Sequence, residues 1–348
     1  MIRSAIALFA LACAAPAFAD DCAPLKLIAS LETTPISSDS SAFTIQAKLN
    51  DTLTPMLVST GSLISTLDQS AVNTLGLHAV ANSSVILVQD RKQSSESFVE
   101  VADFHLGAIH VKRMQFEVPP DSDAARKWSG ILGSDLLSVY DLEINPSGHQ
   151  LNFFAKDHCP GHVLYWKPTA LAVLPFQTQL PTANNTRTGF NLYFQRGAAI
   201  FIPVKLDGHD VEATISTASQ YSSMSASMAK FMFGVTADSP GSTPQPSGDS
   251  QRASFIHVFP TLTFDTVTVT NARVLIYPDP DIANADAFKR TDTRLRQQTG
   301  YFTQHMSIGM DVLRRLRMFV AFSENKLYIT PATGPIAPTT ASAPVHAQ

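Results

Sequence analysis

The stretch Met56-Leu-Val-Ser-Thr-Gly-Ser-Leu-Ile-Ser65 decides the fold of this 348-residue chain. Its apolar residues Met56 to Val58 predict the end of a buried strand, and a polar turn, Ser59 to Ser62, follows at once. Gly61 lets the backbone approach another surface closely or adopt a positive φ where a side chain would clash. The stretch therefore predicts a tight turn that holds three hydroxyl groups in fixed places.

A second copy of this pattern lies later in the chain. Val211-Glu-Ala-Thr-Ile215 leads into a second turn, Ser216-Thr-Ala-Ser219. Each turn is followed by a Gly-x-Asp segment, Leu132-Gly-Ser-Asp-Leu-Leu137 in the first copy and Ile308-Gly-Met-Asp-Val-Leu313 in the second. The turns are 157 positions apart (59 to 216) and the aspartates 176 apart (135 to 311). This spacing indicates an internal duplication whose second copy has 19 more residues in its loops.

The segments around these motifs predict β-hairpins, because apolar and polar residues alternate along them. Alternation is seen at 43–49, 98–104, 111–118, 140–154, 201–206 and 318–329. Residues 66–77 have helical spacing, and Gly76 predicts the end of a short helix there. The hairpin from Val85 to Phe104 has a polar tip over 89–96. We therefore expect an all-β protein with a few short helices.

The paired turns and Gly-x-Asp segments resemble those of the retropepsin-like (pepsin-like) aspartic peptidases, in which each turn reads Asp-Thr-Gly-Ala/Ser. The resemblance covers about residues 42 to 330 and implies a bilobal β-barrel fold in one chain, with the two turns meeting under a cleft. The polar-tipped hairpin would be a flap over this cleft by the resemblance, or an ordinary surface hairpin by its pattern alone. On this basis the first lobe spans 42–160, a connector 161–197 and the second lobe 198–330.

The family's two catalytic aspartate positions hold Ser59 and Ser216 in this chain. By the resemblance, the positions that line the cleft or complete the turns are Thr60, Gly61, Ser62, Thr217, Ala218 and Ser219. The two threonines are expected to hydrogen-bond to the opposite turn. Aspartic peptidase chemistry needs two carboxylates that share a proton, and a serine hydroxyl titrates far too high to replace either. The resemblance therefore implies a pseudopeptidase with no catalytic residue at these positions, no metal and no cofactor.

Three functions remain open at this point. The first is an inactive aspartic-peptidase-like protein that binds a peptide, a protein segment or another ligand in the cleft by strand-like hydrogen bonds. The second is an active aspartic-type endopeptidase, a hydrolase that uses another carboxylate such as Asp68 or Asp90. The third is an envelope scaffold protein whose cleft is vestigial.

Asp135 and Asp311 occupy equivalent positions in the two Gly-x-Asp segments, and we interpret both as structural. Asp135 stands just before Leu136 and Leu137. A carboxylate at the start of a helix can accept its otherwise unpaired amide groups. The sequence therefore predicts that Asp135 is a helix N-cap and not a catalytic acid.

Residues 1–19 have the form of a signal peptide, with a charged start at Arg3, an apolar run and the small-residue cleavage site Ala17-Phe-Ala19. The mature chain would begin at Asp20 with 24 basic and 29 acidic residues, a net charge of −5 that does not suggest nucleic acid as a partner. No later stretch approaches the roughly 20 apolar residues of a membrane-spanning helix. We expect a periplasmic or secreted monomer, with an N-terminal extension at 20–41 and a disordered tail at 331–348.

Cys22 and Cys159 are the cysteines that remain after removal of the signal peptide. An exported protein favours a disulfide between them. The alternative is a metal site built from the neighbouring residues Asp157, His158, Cys159 and His162. We favour the disulfide, because four ligands so close together in sequence rarely all face one ion.

Overall fold

The computed structural model of the protein describes residues 22–34, 42–88, 91–119, 127–179, 199–245, 254–279 and 306–332, with residues 82–96 described by their backbone alone. This part of the chain forms three sheets and four short helices. The predicted signal peptide, residues 333–348 of the predicted tail, and residues 89–90 of the predicted hairpin tip, including Asp90, lie outside the described residues. Within the described residues, no helix is long and apolar enough to cross a membrane.

The strands follow one another along the chain in an order that already shows the duplication. In the first half they are β1 (Leu27–Glu32), β2 (Thr44–Leu49), β3 (Thr52–Val58), β4 (Thr66–Leu67), β5 (Ala79–Val88), β6 (Arg91–Leu106), β7 (Ile109–Val118), β8 (Gly130–Leu132), β9 (Asp141–Asn145) and β10 (Gln150–Phe154). In the second half they are β11 (Ala172–Pro175), β12 (Gln177–Gln179), β13 (Ala199–Leu206), β14 (His209–Ile215), β15 (Ser222–Ser225), β16 (Ser242–Pro244), β17 (Phe255–Phe264), β18 (Val267–Tyr277), β19 (Met306–Ile308), β20 (Leu316–Ala321) and β21 (Lys326–Pro331). The helices are α1 (Gln69–Thr74), α2 (Ser134–Leu137), α3 (Ala226–Phe233) and α4 (Met310–Leu313).

The first lobe is a β-barrel with the strand order β2-β3-β8-β4-β7-β6, extended by β5 at one edge. It closes where Leu49 of β2 pairs with Phe104 of β6. Two of its neighbouring pairs, β3 with β8 and β4 with β7, are parallel. Fully buried side chains fill the barrel, the largest being Phe43, Phe104 and Phe116. Burial of apolar surface on this scale is the main source of its stability.

The second lobe repeats this topology and has one further strand, β12, which pairs with β13 at the other edge. Its order is β13-β14-β19-β15-β18-β17, extended by β16 at the edge that corresponds to β5. The barrel closes where Leu206 of β13 pairs with Leu262 of β17. Its parallel pairs are β14 with β19 and β15 with β18, the counterparts of the parallel pairs in the first lobe. The bilobal all-β architecture predicted from the duplicated motifs is confirmed.

A third sheet of six antiparallel strands joins the lobes, in the order β1-β10-β9-β20-β21-β11. Its first three strands come from the first half of the chain and its last three from the second half. The halves meet where Met318 of β20 pairs with Ile144 of β9. Because the lobes share this sheet, their relative position is set by backbone hydrogen bonds.

The beginning of the described chain differs from the prediction. Residues 20–41 were expected to be an extension, but β1 lies within them and pairs along β10, with Leu31 opposite Leu151. The strand β11, in the predicted connector, makes the corresponding pair with β21. The duplicated unit is therefore a leading strand, a barrel and a closing hairpin, and it begins earlier than residue 42.

The Gly-x-Asp segments pass so close to another part of the backbone that no side chain fits at the glycine. A Cβ atom on Gly133 would lie 2.6 Å from the carbonyl carbon of Ile64, and one on Gly309 would lie 2.4 Å from that of Tyr221. Real Cβ atoms do not approach backbone so closely. Each glycine therefore lets β8 or β19 pass directly behind the turn of its own lobe.

Candidate functional site

The two polar turns meet at the junction of the lobes, and their threonines join them. Thr60 Oγ1 donates a hydrogen bond to the carbonyl oxygen of Ile215 (2.6 Å), and Thr217 Oγ1 donates to that of Val58 (2.7 Å). Each hydroxyl oxygen also accepts the backbone N–H of the other threonine at 3.2 Å. These buried bonds contribute roughly 0.5–1.5 kcal/mol each, and their symmetry places the residues after Val58 and Ile215 in equivalent positions.

Those residues are Ser59 and Ser216, and both are fully buried. Ser59 Oγ donates to Ser62 Oγ at 2.8 Å and accepts the Ser62 amide at 3.0 Å. In the second turn the hydroxyls of Ser216 and Ser219 lie 2.8 Å apart. Ser62 is buried, whereas Ala218 and Ser219 are partly exposed. Each turn therefore has a pair of hydrogen-bonded serine hydroxyls, Ser59 with Ser62 and Ser216 with Ser219.

Gly61 and Ala218 differ between the turns without distorting them. Neither is among the described residues with positive φ, so the turn does not require glycine for its backbone conformation. The Ala218 methyl group packs against an apolar cluster of the first lobe that contains Leu57 and Ile64. Alanine at this position therefore adds a contact between the lobes.

A second layer of hydroxyls and carboxylates lies behind the turns. Ser65 Oγ donates to Asp135 Oδ1 (2.7 Å) and accepts the Gly133 amide (3.0 Å). In the second lobe Ser222 Oγ donates to Asp311 Oδ1 (2.8 Å) and accepts the Gly309 amide (3.0 Å). Sequence reasoning did not single out Ser65 and Ser222, although they are separated by the same 157 positions as the turns.

The prediction that Asp135 is a helix N-cap is wrong. The N-cap of α2 is Gly133, and Asp135 lies in the first turn of the helix, where its carboxylate accepts from Ser65. Gly133 takes the cap position because the chain must pass Ile64 in an extended conformation before it can turn. Burial raises the pKa of Asp135 above its ordinary value, and hydrogen bonds from Ser65 oppose the shift.

Burial likewise raises the pKa of Asp311, to about 6. Both aspartates are hydrogen-bonded to the serines that support the strands β8 and β19, as expected for structural groups. Neither has Ser59 or Ser216 among its hydrogen-bond partners in the described part of the chain.

The alternatives weighed from the sequence have different outcomes. Cys22 and Cys159 form a disulfide, as predicted, with Cα atoms 4.7 Å apart. The rival metal site is therefore wrong, because Cys159 is oxidised and His158 Nε2 instead bonds to the buried Asp141 at 2.6 Å. Asp68 is a buried residue that precedes α1 as its N-cap.

Comparison with known proteins agrees with this geometry. A family model described as aspartyl protease matches residues 45–136, from β2 through the first turn to the Gly-x-Asp segment. Over this range the first lobe is similar to the aspartyl proteases. Among solved structures, it is similar to basic 7S globulin from soybean, with 9% sequence identity over 88% of this chain and 95% of that chain and a TM-score of 0.46. No curated protein sequence matches it.

The reactions that the two polar turns could perform depend on the side-chain groups that they carry. A shared proton between two carboxylates is what lets the family's site act as acid and base at once. In the described residues, the hydroxyls of Ser59 and Ser216 contact other serines, and a nucleophilic serine would need a base in hydrogen-bond reach. The turns therefore present hydroxyl groups that hydrogen-bond to one another.

Proposed function

We propose that this protein is an exported, catalytically inactive aspartic-peptidase-like protein that binds an extended peptide between its lobes. The observation that carries the proposal is the intact threonine cross-bonding around serines at both catalytic positions. The framework that aligns the two halves of a peptidase site is kept. The groups that would perform hydrolysis are replaced by hydroxyls.

The absence of carboxylates at Ser59 and Ser216 supports the loss of catalysis. Aligned carboxylates in the family transfer protons to and from water and the scissile carbonyl, a contribution of about 10²- to 10⁴-fold for general acid–base catalysis. A hydroxyl keeps its proton throughout the working pH range of such enzymes. In addition, the hydroxyls of Ser59 and Ser216 are hydrogen-bonded to other serines of their own turns.

The binding part of the proposal is supported by the elements around the turns. By the resemblance, the hairpin of β5 and β6 is the counterpart of the family's flap, and β6, at 16 residues, is the longest strand in the described chain. Ala218 and Ser219 leave the second turn partly exposed. An extended peptide between hairpin and turns could add strand-like backbone hydrogen bonds.

The disulfide supports the export part of the proposal. Cys22 and Cys159 are bonded, and such bonds persist in oxidising compartments. The segment 1–19, with its cleavage site at Ala17-Phe-Ala19, fits the same route. The mature protein would then begin at Asp20, in the periplasm or outside the cell.

Restoring the carboxylates tests the proposal directly. The mature protein, its N-terminus checked as Asp20 by intact mass, is compared with the triple variant Ser59→Asp, Ser216→Asp, Ala218→Gly on an unfolded protein substrate at acidic pH. We expect no cleavage by the natural chain. The triple variant should cleave at a rate about 100-fold above either single aspartate variant, because two carboxylates are needed to share one proton.

The matched control is Ser59→Asn, Ser216→Asn, Ala218→Gly, which has side chains of the same shape and no acid. Peptides that the aspartate variant cleaves are then used as fluorescent ligands for the natural chain, where we expect saturable binding. Acid cleavage by the natural chain that pepstatin inhibits would overturn the inactive assignment. The binding assignment would be overturned by a folded aspartate variant that cleaves nothing, or by a natural chain that does not bind the peptides that this variant cleaves.

A further inference from the structure

Two histidines and an aspartate converge on the outer face of the first barrel, far along the chain from either polar turn. Asp103 and His105 lie in β6, and His110 lies in β7 just after the turn that joins these strands. His105 Nε2 is 2.8 Å from Asp103 Oδ2, and His110 Nε2 bonds to Asp103 Oδ1. One ligand atom from each residue lies within 4.8 Å of the other two.

Strand register creates this cluster. Residues 103 and 105 point to the same face, because side chains alternate along a strand. His105 and His110 are directly paired across β6 and β7, and their imidazoles stack with ring centroids 4.3 Å apart and planes 2° from parallel. Both Nε2 atoms consequently point toward one carboxylate.

The set has the chemistry of a metal site. Imidazole nitrogen and carboxylate oxygen are ligands of zinc and the neighbouring divalent transition metals, at about 2.0–2.2 Å from the ion. Ligand atoms on one such ion are at most about 4.2 Å apart on these distances, so small side-chain rotations would complete the site. All three side chains are between a third and a half exposed, which gives an ion access from solvent.

We propose that Asp103, His105 and His110 bind one late first-row divalent transition-metal ion such as Zn²⁺. The ion takes the place of the protons now shared between the imidazoles and the carboxylate, and these protons move to Nδ1 or to solvent. Three protein ligands leave further coordination positions for water. The proposed metal site is separate from the two polar turns.

The electrostatics around the cluster are compatible with a bound cation. The Asp103 carboxylate faces the Nε2 atoms of both His105 and His110. Two lysines are cross-strand neighbours of the set, Lys48 beside His105 and Lys112 beside Asp103. The Lys48 ammonium is directed to Asp51, with Nζ 3.1 Å from Oδ1.

The second lobe provides an internal comparison. The register of its barrel closure places Lys205 beside Thr263, as Lys48 lies beside His105. The three positions that correspond to Asp103, His105 and His110 are Thr261, Thr263 and Thr268, and the hydroxyls of the last two lie 3.2 Å apart. The same scaffold thus carries metal ligands in one lobe and hydroxyls in the other.

This repeat defines the matched variant, in which His105→Thr and His110→Thr install the residues of the second lobe. Binding of ZnCl₂ is measured by isothermal titration calorimetry on the full mature chain, freed of any affinity tag. We expect one Zn²⁺ per natural chain and at least a tenfold loss of affinity in the double variant. His209→Thr, which removes a single exposed histidine of the other barrel, should bind like the natural chain.

A reciprocal graft completes the test. In the double variant, Thr261→Asp with Thr263→His and Thr268→His should restore one Zn²⁺ per chain. The proposal fails if the natural chain binds no Zn²⁺, or if the double variant binds it as tightly as the natural chain does. Thermal unfolding without metal verifies that each variant folds. If the double variant does not fold, His110→Thr alone replaces it, because His110 is the more exposed of the two histidines.

Discussion

At the scale of single residues, the buried aspartates behind the turns show how burial and hydrogen bonding compete. Asp311 Oδ1 accepts from the Ser222 amide and hydroxyl, both at 2.8 Å, and from the Val312 amide at 3.0 Å. Its buried Oδ2 has no hydrogen-bond partner among the described residues. Loss of hydration outweighs the three bonds, so the pKa of Asp311 rises to about 6.

This shift predicts a pH dependence of stability. Between about pH 4 and pH 6 the native protein holds a proton on Asp311 that the unfolded chain, with a pKa of about 3.9, has released. The contribution of protonated Asp311 to the free energy of unfolding is therefore fully present below about pH 4 and is lost as the pH rises through about 6. It amounts to at most about 3 kcal/mol, at 1.36 kcal/mol for each pKa unit.

Urea unfolding of the natural chain and of Asp311→Asn at several pH values from 4 to 7 measures this effect. Asparagine keeps an acceptor for Ser222 and does not titrate. We expect a smaller fall in the free energy of unfolding for the variant across this window. Equal slopes for the two proteins would mean that Asp311 is ionised throughout.

At the scale of elements, the passage of β8 and β19 behind the turns depends on a missing side chain. Gly133 and Gly309 have extended backbones that any residue could adopt, with φ of −95° and −99°. Their importance therefore lies in the close approach of another backbone segment and not in conformational freedom. The sequence shows the glycines, but the backbone they approach is 69 positions away for Gly133 and 88 for Gly309, at Ile64 and Tyr221.

We predict that Gly133→Ala lowers the free energy of unfolding by about 3 kcal/mol or more, because the new methyl group meets backbone atoms of Ile64 that cannot move aside. The comparison variant is Gly76→Ala, where φ is +61° and no atom lies within 4 Å of the added Cβ. Its cost should be about 1 kcal/mol from backbone strain alone. Chemical denaturation measures both, and a smaller effect at Gly133 than at Gly76 would contradict the close passage.

At the scale of the whole molecule, the six-stranded sheet holds the halves of the chain together. Arg317 of β20 donates from Nε to the fully buried Glu143 of β9 at 2.6 Å, which links the halves by charge as well as by backbone. The Trp166 ring covers the guanidinium at 3.9 Å. The disulfide Cys22–Cys159 attaches the start of the first unit to the segment just beyond its closing hairpin.

Removal of this disulfide should destabilise the protein strongly. It joins residues 137 positions apart, and in the chain-entropy model a loop of this length gives about 4–5 kcal/mol. We expect Cys22→Ser with Cys159→Ser to lower the free energy of unfolding by that order, measured by denaturation under non-oxidising conditions. A loss below about 1 kcal/mol would show that the unfolded chain is already restricted without the bond.

Several features of this protein were determined by local sequence. Alternation of apolar and polar residues predicted the barrel strands, because a half-buried strand exposes every second side chain. The repeated Ser-Thr-Gly/Ala-Ser turns predicted two equivalent lobes, and the pairing of Cys22 with Cys159 was predicted from their number and the predicted signal peptide. Each of these inferences uses information contained within a few neighbouring residues or in a simple count.

Other features were decided by tertiary contacts. The strand β1 has weak alternation, and its partner Gln150–Phe154 lies more than a hundred positions away, so its pairing cannot be seen locally. Asp135 was predicted to be the N-cap of α2, but the N-cap is Gly133, which lies close to the backbone of Ile64. The Asp135 carboxylate instead accepts a hydrogen bond from Ser65. The cluster of Asp103, His105 and His110 depends on the register of two strands. In each case the deciding neighbour is brought in by the fold, and sequence order carries no direct record of it.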